Sequence, residues 1–388
     1  MQILYVTTIS STVNVFLVPH IKLLLEQGHE VGLAFNIDQE VNPELITLGC
    51  KVHRIDFHRN PLKKENLTAY QKIKKMIIDE GYEFIHVHTP VASLLTRIAC
   101  RKIENVKVVY TAHGFHFFKG APVKNWAIYY PLEKLVARWT DGLITLNDED
   151  YYAARNMKIR KRGLIYKMHG VGLDTNRFIP QTNERKLHFR EHYGYHANDF
   201  ILIYVGELSH RKNQKMLIEA VNMVKDEIPQ LKLLLVGDGD MASGYKKLVQ
   251  RLGMDDRVDF LGFRKDVQQL MTIADLAIST SRQEGLPVNV MEAMATGLPI
   301  VVTDCRGNRD LVDNGKNGFV VSGEDTRACA KAIKELYLSR DLRRKFGDRG
   351  REMIEVYSLH SVLSELKEIY SKLFLPVNKQ YNDHSGGQ

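Results

Sequence analysis

Short apolar runs alternate with amphipathic stretches along most of the chain, and this alternation limits the fold more than any other feature. In runs such as QILYVTTI and FILIYVGEL, apolar residues follow one another instead of alternating with polar ones. Strands of this kind are buried on both faces, as in parallel sheets whose crossover helices cover each side. The sequence therefore predicts an α/β protein with parallel sheets.

The predicted strands form two groups of similar size. The first group is QILYVTTI, EVGLAF, KVHRIDF, FIHVHT, KVVYTAHG, GLITLN and LIYKMHG. The second group is FILIYVGEL, LKLLLVGDG, RVDFLGF, DLAISTS, PIVVTD and GFVV. Between the groups, GVGLDTNRFIPQTNERK gathers Gly, Asp, Asn and Pro, which favour turns and loops. A chain of 388 residues is also long for one core, so we expect two domains.

We place the first domain at residues 1–175 and the second at 176–357. The helical pattern SLHSVLSELKEIYSKLF predicts a helix over 358–375 that packs back on the first domain, and the polar residues 376–388 predict a disordered tail. Ligands of open α/β sheets bind beyond the carboxyl ends of the strands. We therefore expect two facing Rossmann-like domains with a ligand cleft between them.

Charge is distributed unequally between the two halves. Residues 1–172 hold 23 Lys and Arg against 16 Asp and Glu, whereas the remainder holds 31 against 30. The basic half indicates an anionic partner, which could be nucleic acid, anionic lipid or a phosphate-bearing substrate. No apolar run reaches 18 residues, so no transmembrane helix is expected. The four scattered cysteines are typical of reduced cytosolic thiols and do not favour a zinc site.

Two carboxylates flank the start of a predicted helix in EGLPVNVMEAMATG. Glu284 precedes this helix, and Glu292 lies inside it among apolar residues. A carboxylate near a core costs free energy unless it has a partner, but it can accept hydrogen bonds from two neighbouring hydroxyls of a sugar. The pair therefore predicts either a site for a hydroxyl-rich ligand, or a helix cap with a solvated helix face.

The turn between these carboxylates suits an anion or polar sugar oxygens. Pro287 is expected in the first helical turn, where its missing N–H does no harm. The N–H groups of Gly285, Leu286 and Val288 would then be available to a ligand at the helix N-terminus.

Glu-x₇-Glu around Gly-Leu-Pro, followed by GLPIVVTD, resembles the retaining glycosyltransferases of family 4, and the resemblance covers nearly the whole chain. Four segments resemble the branch of this family that builds bacterial capsular polysaccharides and exopolysaccharides, namely HTPVASLLTRIA, YTAHGFHFFKGAP, YYPLEKLVARWTDGLITLNDEDY and GVGLDTNRF. The family has the two-domain GT-B fold and takes sugars from nucleotide diphosphates. The resemblance implies that Glu292 holds the donor ribose and Glu284 the donor sugar. It implies further donor contacts from Gly206, Gly237 and Arg264 with Gly285, Leu286 and Pro287.

The donor diphosphate requires positive charge, and VGELSHRKNQ supplies Arg211 and Lys212 after a predicted strand. Cations beside the leaving diphosphate stabilise the transition state. The family pattern has Gly-Arg-Leu and a Lys four residues later. Lys212 matches that Lys, but Glu207 stands where the Arg is expected. We expect Arg211 to replace it, the alternative being two exposed basic residues at a helix start.

His113 follows a predicted strand in TAHGFHFFKG. By the same resemblance it touches the donor sugar or its phosphate. We assign it a positioning role, because the family reaction is drawn without a protein nucleophile. The alternative is a structural histidine at a strand end.

Two other motifs have weaker functional interpretations. GDGDMA, with Asp259 further along the chain, matches a dinucleotide-binding pattern, but it follows the second strand of its group and is more typical of a turn. His86 and His88 in HVH could form a metal pair, but the sequence indicates no third ligand nearby. We expect no metal requirement.

The segment FHFFKGAPVKNWAIYYPLEKLVARW combines aromatic and basic residues, including Lys119, Lys124 and Trp126. Such a segment suits a membrane interface, although a core-packed helix with solvated lysines fits the pattern as well. The basic first half favours an anionic membrane surface.

These features predict a cytoplasmic enzyme, peripheral on the inner face of the membrane. It would transfer a sugar from a UDP-sugar to an undecaprenyl-diphosphate-linked saccharide with retention of configuration. The resemblance implies that the first domain binds the acceptor and the second domain binds the nucleotide sugar. The alternatives are a nonhydrolysing UDP-sugar epimerase and a non-catalytic module that binds nucleotides or nucleic acid. No nucleic-acid motif is recognised, so nucleic acid is not an expected partner.

Overall fold

The computed structural model describes residues 1–58, 60–61 and 63–374, and the chain divides into two compact units. Unit 1 contains Met1–Val171 and the segment that begins at His360, and unit 2 contains Gly172–Leu359. The chain first passes from unit 1 to unit 2 within the loop-rich segment that the sequence predicts. The predicted tail, 376–388, lies outside the described residues.

Unit 1 is built on a parallel sheet. Its strands in the described part of the chain are β1 (Gln2–Ile9), β2 (Glu30–Asn36), β3 (Lys51–Arg54), β4 (Phe84–Val87), β5 (Lys107–Ala112), β6 (Gly142–Thr145) and β7 (Leu164–Lys167). They lie in the order β3-β2-β1-β4-β5-β6-β7, and each neighbouring pair is parallel. The sequence predicted each of these strands, and β1 has the predicted bounds.

Unit 2 repeats this architecture. The strands found among its described residues are β8 (Phe200–Val205), β9 (Leu231–Val236), β10 (Val258–Gly262), β11 (Leu276–Ser279), β12 (Ile300–Thr303) and β13 (Gly318–Val321). Their order is β10-β9-β8-β11-β12-β13, again with parallel neighbours. Several predicted runs extend past their strands because the polar and glycine residues at their ends belong to the following loops.

Helices connect the strands. In unit 1 they are α1 (Ser10–Thr12), α2 (Val18–Glu26), α3 (Pro43–Thr47), α4 (Glu65–Asp79), α5 (Pro90–Cys100), α6 (Val123–Val136) and α7 (Asp148–Arg155). In unit 2 they are α8 (Asn183–Tyr193), α9 (Gln214–Val224), α10 (Ala242–Arg251), α11 (Val267–Ile273), α12 (Val288–Thr296), α13 (Asn308–Leu311), α14 (Thr326–Leu338) and α15 (Arg340–Ile354). The last helix is α16 (Leu359–Phe374). No helix of the described residues combines the length and the apolar composition that crossing a membrane requires.

Both faces of the unit 2 sheet are buried. Along β8, Leu202 and Tyr204 join a hydrophobic cluster on one face, and Ile201 and Ile203 join a cluster on the other. Side chains alternate between the faces of a strand, so a continuous apolar run is required when helices cover both sides. This explains why the strands could be found from apolar runs alone.

The helix α16 completes unit 1 from the far end of the described chain. The hydroxyl of Tyr370 is hydrogen-bonded to the hydroxyl of Tyr5 in β1, and it lies 2.6 Å from Nδ1 of His86 in β4. Lys107 Nζ donates to the carbonyl oxygen of Leu373 at 2.6 Å. These buried polar contacts tie the helix to the sheet of unit 1.

Each sheet has one place where its winding reverses. In unit 1, β1 lies between β2 and β4, and in unit 2, β8 lies between β9 and β11. At such a place the loops after two neighbouring strands run to opposite faces of the sheet and leave a crevice at the carboxyl ends of the strands. Open α/β sheets bind their ligands in this crevice. The topology therefore indicates one ligand crevice in each unit.

Candidate active site

The crevice of unit 2 contains a buried carboxylate held by two cations. Glu284 follows β11 and is 7% exposed. Its Oε1 lies 2.6 Å from Nζ of Lys212, and its Oε2 lies 3.3 Å from Nη1 of Arg211. Both cations lie on the loop after β8, and Glu284 follows the neighbouring strand β11. Because the two strands are adjacent at the winding reversal, the cations lie beside Glu284. Ionic partners offset the cost of burying this carboxylate.

Backbone contacts hold this cluster in place. Arg306 Nε donates to the carbonyl oxygen of Glu284 at 2.8 Å, and the Tyr204 hydroxyl donates to the carbonyl oxygen of Lys212 at 2.8 Å. Sequence reasoning did not identify Arg306 or Tyr204. Arg306 lies shortly after β12, and an arginine that follows a buried strand is the only sequence signal for it.

Arg211 faces two carboxylates at once. Its Nη2 lies 3.8 Å from Oε2 of Glu207, in addition to the closer contact with Glu284. Glu207 is largely exposed, so this second pair contributes little. Arg211 therefore lies beside Glu284 together with Lys212. The sequence predicted that Arg211 replaces the arginine that the family has at the position of Glu207. Its role toward a ligand stays a prediction.

Two glycines bring the loops after β8 and β9 together. Gly237 has φ +139°, and a Cβ atom there would lie 2.1 Å from the carbonyl oxygen of Gly206. At Gly206, a Cβ atom would lie 3.4 Å from Cε of Lys212. A side chain at Gly237 would therefore displace the neighbouring backbone, whereas at Gly206 the contact is an ordinary one and the φ of +156° is what favours glycine.

The helix α12 begins one residue later than expected, with Pro287 at its N-cap. Gly285 and Leu286 form the turn between Glu284 and this helix. Glu292, in its second turn, is partly buried, and no hydrogen bond or ion pair reaches its carboxylate from the residues that the structure describes. Burial raises the pKa of Glu292 to about 7, against the opposing charge of Arg177. The described residues therefore compensate the charge of this carboxylate poorly.

Arg264 follows β10 and is engaged by an acidic neighbour. Its Nε lies 2.8 Å from Oδ1 of Asp266, and its Nη2 also contacts that carboxylate. The Tyr193 hydroxyl donates to Asp266 as well. The guanidinium holds the pKa of Asp266 well below its usual range. A donor contact from Arg264, as the sequence predicts, would use its remaining N–H groups.

His113 lies in unit 1, immediately after β5, in a cluster of histidines. Its Nε2 is 3.1 Å from Nδ1 of His88, whose ring is tilted by 33° to that of His86, with centroids 4.2 Å apart. Burial lowers the pKa of His113 to about 4 and the pKa of His20 to about 4, and it also lowers the pKa values of His86 and His88 well below the usual value. At neutral pH these rings are uncharged.

The sequence indicated no third ligand beside His86 and His88, yet the fold brings His113 against His88. Even so, no group of three or more His, Cys, Asp or Glu residues within the described ranges is arranged to hold a metal ion. The contact between the two rings uses Nδ1 of His88 and Nε2 of His113.

The helix α6 presents an exposed apolar and basic surface. Val123 is 84% exposed, Ile128 59% and Trp126 41%. Lys119 and Lys124 are exposed beside them. Among the residues of α6, only Val136 is buried. The opposite face of α6 packs on the core through Tyr129 and Tyr130. The helix therefore has both a core-packed face and an exposed face, and membrane binding stays a prediction.

Comparisons with known proteins agree with this architecture. The family model described as glycosyl transferase 4-like matches residues 2–147, and the model described as glycosyl transferases group 1 matches residues 186–353. The structure of Anabaena HepE in complex with UDP and glucose is 23% identical and superposes with a TM-score of 0.78, over 96% of this chain and 99% of that one. This similarity confirms the predicted GT-B fold.

Two curated relatives match most of the chain. The glycosyltransferase EpsD of Bacillus subtilis (strain 168) is 40% identical over 95% of this chain and 96% of its own. An Escherichia coli protein named UDP-Gal:alpha-D-GlcNAc-diphosphoundecaprenol alpha-1,3-galactosyltransferase is 27% identical over 81% of this chain and 80% of its own. Neither match favours an epimerase or a nucleic-acid-binding module. The chain belongs to the glycosyltransferases that combine a 4-like domain with a group 1 domain.

Proposed function

We propose that this glycosyltransferase transfers a hexose-type sugar from a UDP-sugar to a lipid-linked saccharide with retention of configuration, in the synthesis of a capsule, exopolysaccharide or other surface glycan. The observation that carries the proposal is the buried cluster of Glu284, Lys212 and Arg211 at the winding reversal of unit 2. An α/β sheet binds its ligand at this position. The cluster combines cations for phosphates with a carboxylate for hydroxyls.

The two cations suit the diphosphate of the donor. An ammonium group has three donors and a guanidinium has five, so Lys212 and Arg211 can bind phosphate oxygens while they keep Glu284. Negative charge develops on the diphosphate as the sugar leaves, and fixed cations lower the free energy of that transition state. We therefore propose that the reaction needs no bound metal. The glycines Gly206 and Gly237 leave room for phosphates to approach the backbone.

The two carboxylates suit different rings of the donor. Glu284 lies beside the cations, where a sugar attached to the diphosphate would be. Glu292 has no partner in the described protein, so two vicinal ribose hydroxyls would supply hydrogen bonds that its carboxylate lacks. His113, neutral at pH 7, is suited to positioning the sugar by a hydrogen bond and not to acid catalysis at that pH.

A lipid-linked acceptor agrees with the surface of unit 1. The exposed apolar side chains of α6 lie among Lys119, Lys124 and Lys134, a combination that binds membrane interfaces. Each basic residue near anionic lipid contributes about 1 kcal/mol. The Escherichia coli relative is named for a diphosphoundecaprenol-linked acceptor. We propose a cytoplasmic, peripheral protein on the inner membrane face.

The test is an incubation of the full chain with a panel of nucleotide sugars and a membrane extract enriched in polyprenyl-diphosphate saccharides. Release of UDP that depends on the extract, with a radiolabelled sugar recovered in the lipid fraction, is the expected result. Nuclear magnetic resonance of the released glycan then reports the anomeric configuration. Conversion of a UDP-sugar to its epimer without any extract would contradict the proposal.

A further inference from the structure

A large cavity in unit 2 lies at the opposite edge of the sheet from the candidate active site. It has a volume of about 840 Å³, and its lining includes the amino ends of three adjacent strands, at Phe200 in β8, Asp275 before β11 and Pro299 before β12. The strand β8 has six residues and rises about 3.3 Å per residue, so about 16 Å of sheet separates this cavity from the loop that carries Lys212. The cavity is therefore separate from the donor crevice.

The walls of this cavity are basic. The lining contains three acidic residues, Asp199, Asp275 and Asp348, and twice as many basic ones, namely Lys186, Arg190, Arg340, Arg343, Arg344 and Arg351. Residues 173–388, which contain nearly all of unit 2, hold 31 Lys and Arg against 30 Asp and Glu. The excess of positive charge is therefore local to the cavity, where it attracts anions.

Two of these basic residues have a structural role. Lys186 Nζ lies 2.6 Å from Oδ1 of Asp275, and Arg190 Nη2 lies 2.7 Å from Oδ2 of the same carboxylate. Arg190 also donates to the carbonyl oxygens of Ala197 and Ile273, and it is 3% exposed. These contacts hold α8 against the sheet, so neither charge requires a ligand.

The other four basic residues are the arginines of α15, and no buried carboxylate neutralises them. In the part of the chain that the structure describes, Arg340, Arg343 and Arg351 form no ion pair, and Arg344 has only Asp341, at 3.7 Å. Asp341 is 94% exposed, so this pair contributes little. The cavity therefore gathers four arginines whose charges lack a strong partner.

Two of these arginines are held in place through one nitrogen each. Arg343 Nη1 donates to the carbonyl oxygens of Leu336 and Tyr337, and Arg351 Nη1 donates to the carbonyl oxygen of Ala295 at 2.7 Å. A guanidinium has five N–H donors, so most donors of both groups stay available. Burial lowers the pKa of the Arg343 guanidinium, because its charge is partly removed from water.

This arrangement selects the ligand by its charge and its size. The fork of a guanidinium matches two oxygens of a phosphate, and a phosphate carries up to two negative charges at neutral pH. The cavity is larger than one phosphate requires and lies within the usual range of small-molecule sites, about 300–1,000 Å³. Thr182, Asn183 and Asn198 also line it, and together with Asp348 they can accept hydrogen bonds from hydroxyls. A phosphorylated molecule with hydroxyl groups has this combination.

We propose that this cavity binds a phosphorylated ligand, with Arg340, Arg343, Arg344 and Arg351 contacting its phosphate oxygens. The proposal goes beyond sugar transfer, because the cavity and the donor crevice lie at opposite edges of the sheet. A soluble metabolite and a lipid headgroup both present such a phosphate, and the experiment distinguishes these two sources.

The test titrates the full chain with inorganic pyrophosphate and with fructose 1,6-bisphosphate by isothermal calorimetry, in saturating UDP so that the donor crevice is occupied. Fructose is the comparison without phosphate. At least one phosphate probe should bind, and the double variant Arg340→Gln with Arg344→Gln, called the cavity variant, should weaken its binding about tenfold to a hundredfold. Both arginines are exposed, so the cavity variant should stay folded, and thermal unfolding checks this.

The double variant Lys345→Gln with Arg349→Gln is the matched control. Both residues are exposed on α15 but do not line the cavity, and their substitution removes the same charge. The control should bind the phosphate probe as the wild type does, whereas a general electrostatic effect would weaken both variants equally.

Sedimentation with phosphatidylglycerol vesicles identifies the source of the phosphate. Weaker sedimentation of the cavity variant than of the control assigns the site to a lipid headgroup. Equal sedimentation, together with weaker binding of the soluble probe, assigns it to a soluble metabolite.

The inference is overturned if neither phosphate probe binds and the cavity variant sediments as the control does, if both variants weaken binding equally, or if fructose binds as tightly as its bisphosphate. UDP binding is measured on the same samples. A wild-type chain that binds no UDP contradicts the proposed function, whereas a phosphate affinity that only the cavity variant lowers supports this site in either case.

Discussion

Nζ of Lys212 lies 2.6 Å from Oε1 of Glu284, and both side chains are nearly enclosed by unit 2. A buried ion pair of this kind is costly to break from one side, because the remaining charge is left without a partner. A ligand that brings its own negative charge can replace the carboxylate as the partner of the lysine. On the proposed function, the pair therefore links the stability of unit 2 to occupation of the donor site.

Glu284→Gln removes this charge and keeps the shape of the side chain. We expect it to destabilise the free protein by about 3–5 kcal/mol, because Lys212 and Arg211 lose their buried anion. Saturating UDP should recover much of the loss, while sugar transfer should remain at least tenfold reduced. Thermal unfolding with and without UDP, together with a transfer assay, measures both effects. Equal melting temperatures for variant and wild type without UDP would show that the pair is not stabilising.

Arg211 and Glu207 provide a matched comparison on one loop. Arg211→Ala should reduce donor turnover about tenfold or more, since a hydrogen bond to a charged group contributes about 1.5–3 kcal/mol. Glu207→Ala should change turnover little, because its contact with Arg211 is longer and exposed. Steady-state kinetics of UDP release compares the two variants. Small, equal effects would place the phosphate-binding cations elsewhere.

Glu292→Gln should stabilise the free protein and weaken the binding of UDP. The folded protein holds the Glu292 proton up to a pKa of about 7, above the usual value of 4.5. Folding therefore takes up a proton between these values, and stability falls as pH rises through this window. Glutamine removes that loss, so the variant should melt at a higher temperature at pH 8 but not at pH 4.

The same variant should weaken UDP binding about tenfold to a hundredfold, because the ribose loses a charged acceptor. Isothermal calorimetry measures the affinity. If UDP binds the variant and the wild type equally well, Glu292 does not hold the ribose.

Membrane binding should depend on the exposed residues of α6. Ile128→Ser and Lys124→Glu should each reduce sedimentation with phosphatidylglycerol vesicles, and high salt should release the wild type because exposed charges are screened within about 8–10 Å at 0.1–0.15 M. Leu67→Ser is the control, since Leu67 is 64% exposed but lies on α4. Loss of binding in the control alone would point to a different surface.

Acid should destabilise unit 1 through its buried histidines. Burial lowers the pKa values of His20 and His113 to about 4, from 6.5, and it also lowers those of His86 and His88 well below 6.5. The unfolded chain binds more protons than the folded one between pH 6.5 and 4, so the free energy of unfolding falls as the pH falls through this window. Each ring contributes up to about 1.4 kcal/mol per pH unit.

Urea unfolding at pH 7, 6 and 5 measures this slope. His20→Gln should reduce it by up to one proton, and the exposed His188→Gln should leave it unchanged. A slope that neither substitution alters would assign the acid sensitivity to other groups.

Local pattern was sufficient to predict the strands and their parallel arrangement, because burial on both faces leaves a continuous apolar run. The proximity of Lys212 and Glu284, 72 positions apart, could be expected only through the family resemblance. The ion pair between the buried Arg97 and Glu133 could not be expected at all. Glu133 lies 36 residues away on a neighbouring helix, and neither residue has a local sequence signal.

The exposure of α6 was also outside the reach of sequence reasoning. A helix with aromatic residues and lysines on several sides has no clear apolar stripe, so its pattern is compatible with a core position and with a surface position. The structure combines the two positions, because Tyr129 and Tyr130 pack on the core while Val123 and Ile128 are exposed.

The return of α16 to unit 1 has a consequence for biosynthesis. On the ribosome, Tyr5 and His86 emerge long before Tyr370, and the whole of Gly172–Leu359 is translated between them. At about 5–20 residues per second, this segment takes on the order of ten to forty seconds to make. The first sheet must wait that long for its last helix, with polar and aromatic groups uncovered, while the second can close without delay. The half that is made first is therefore the half that finishes last.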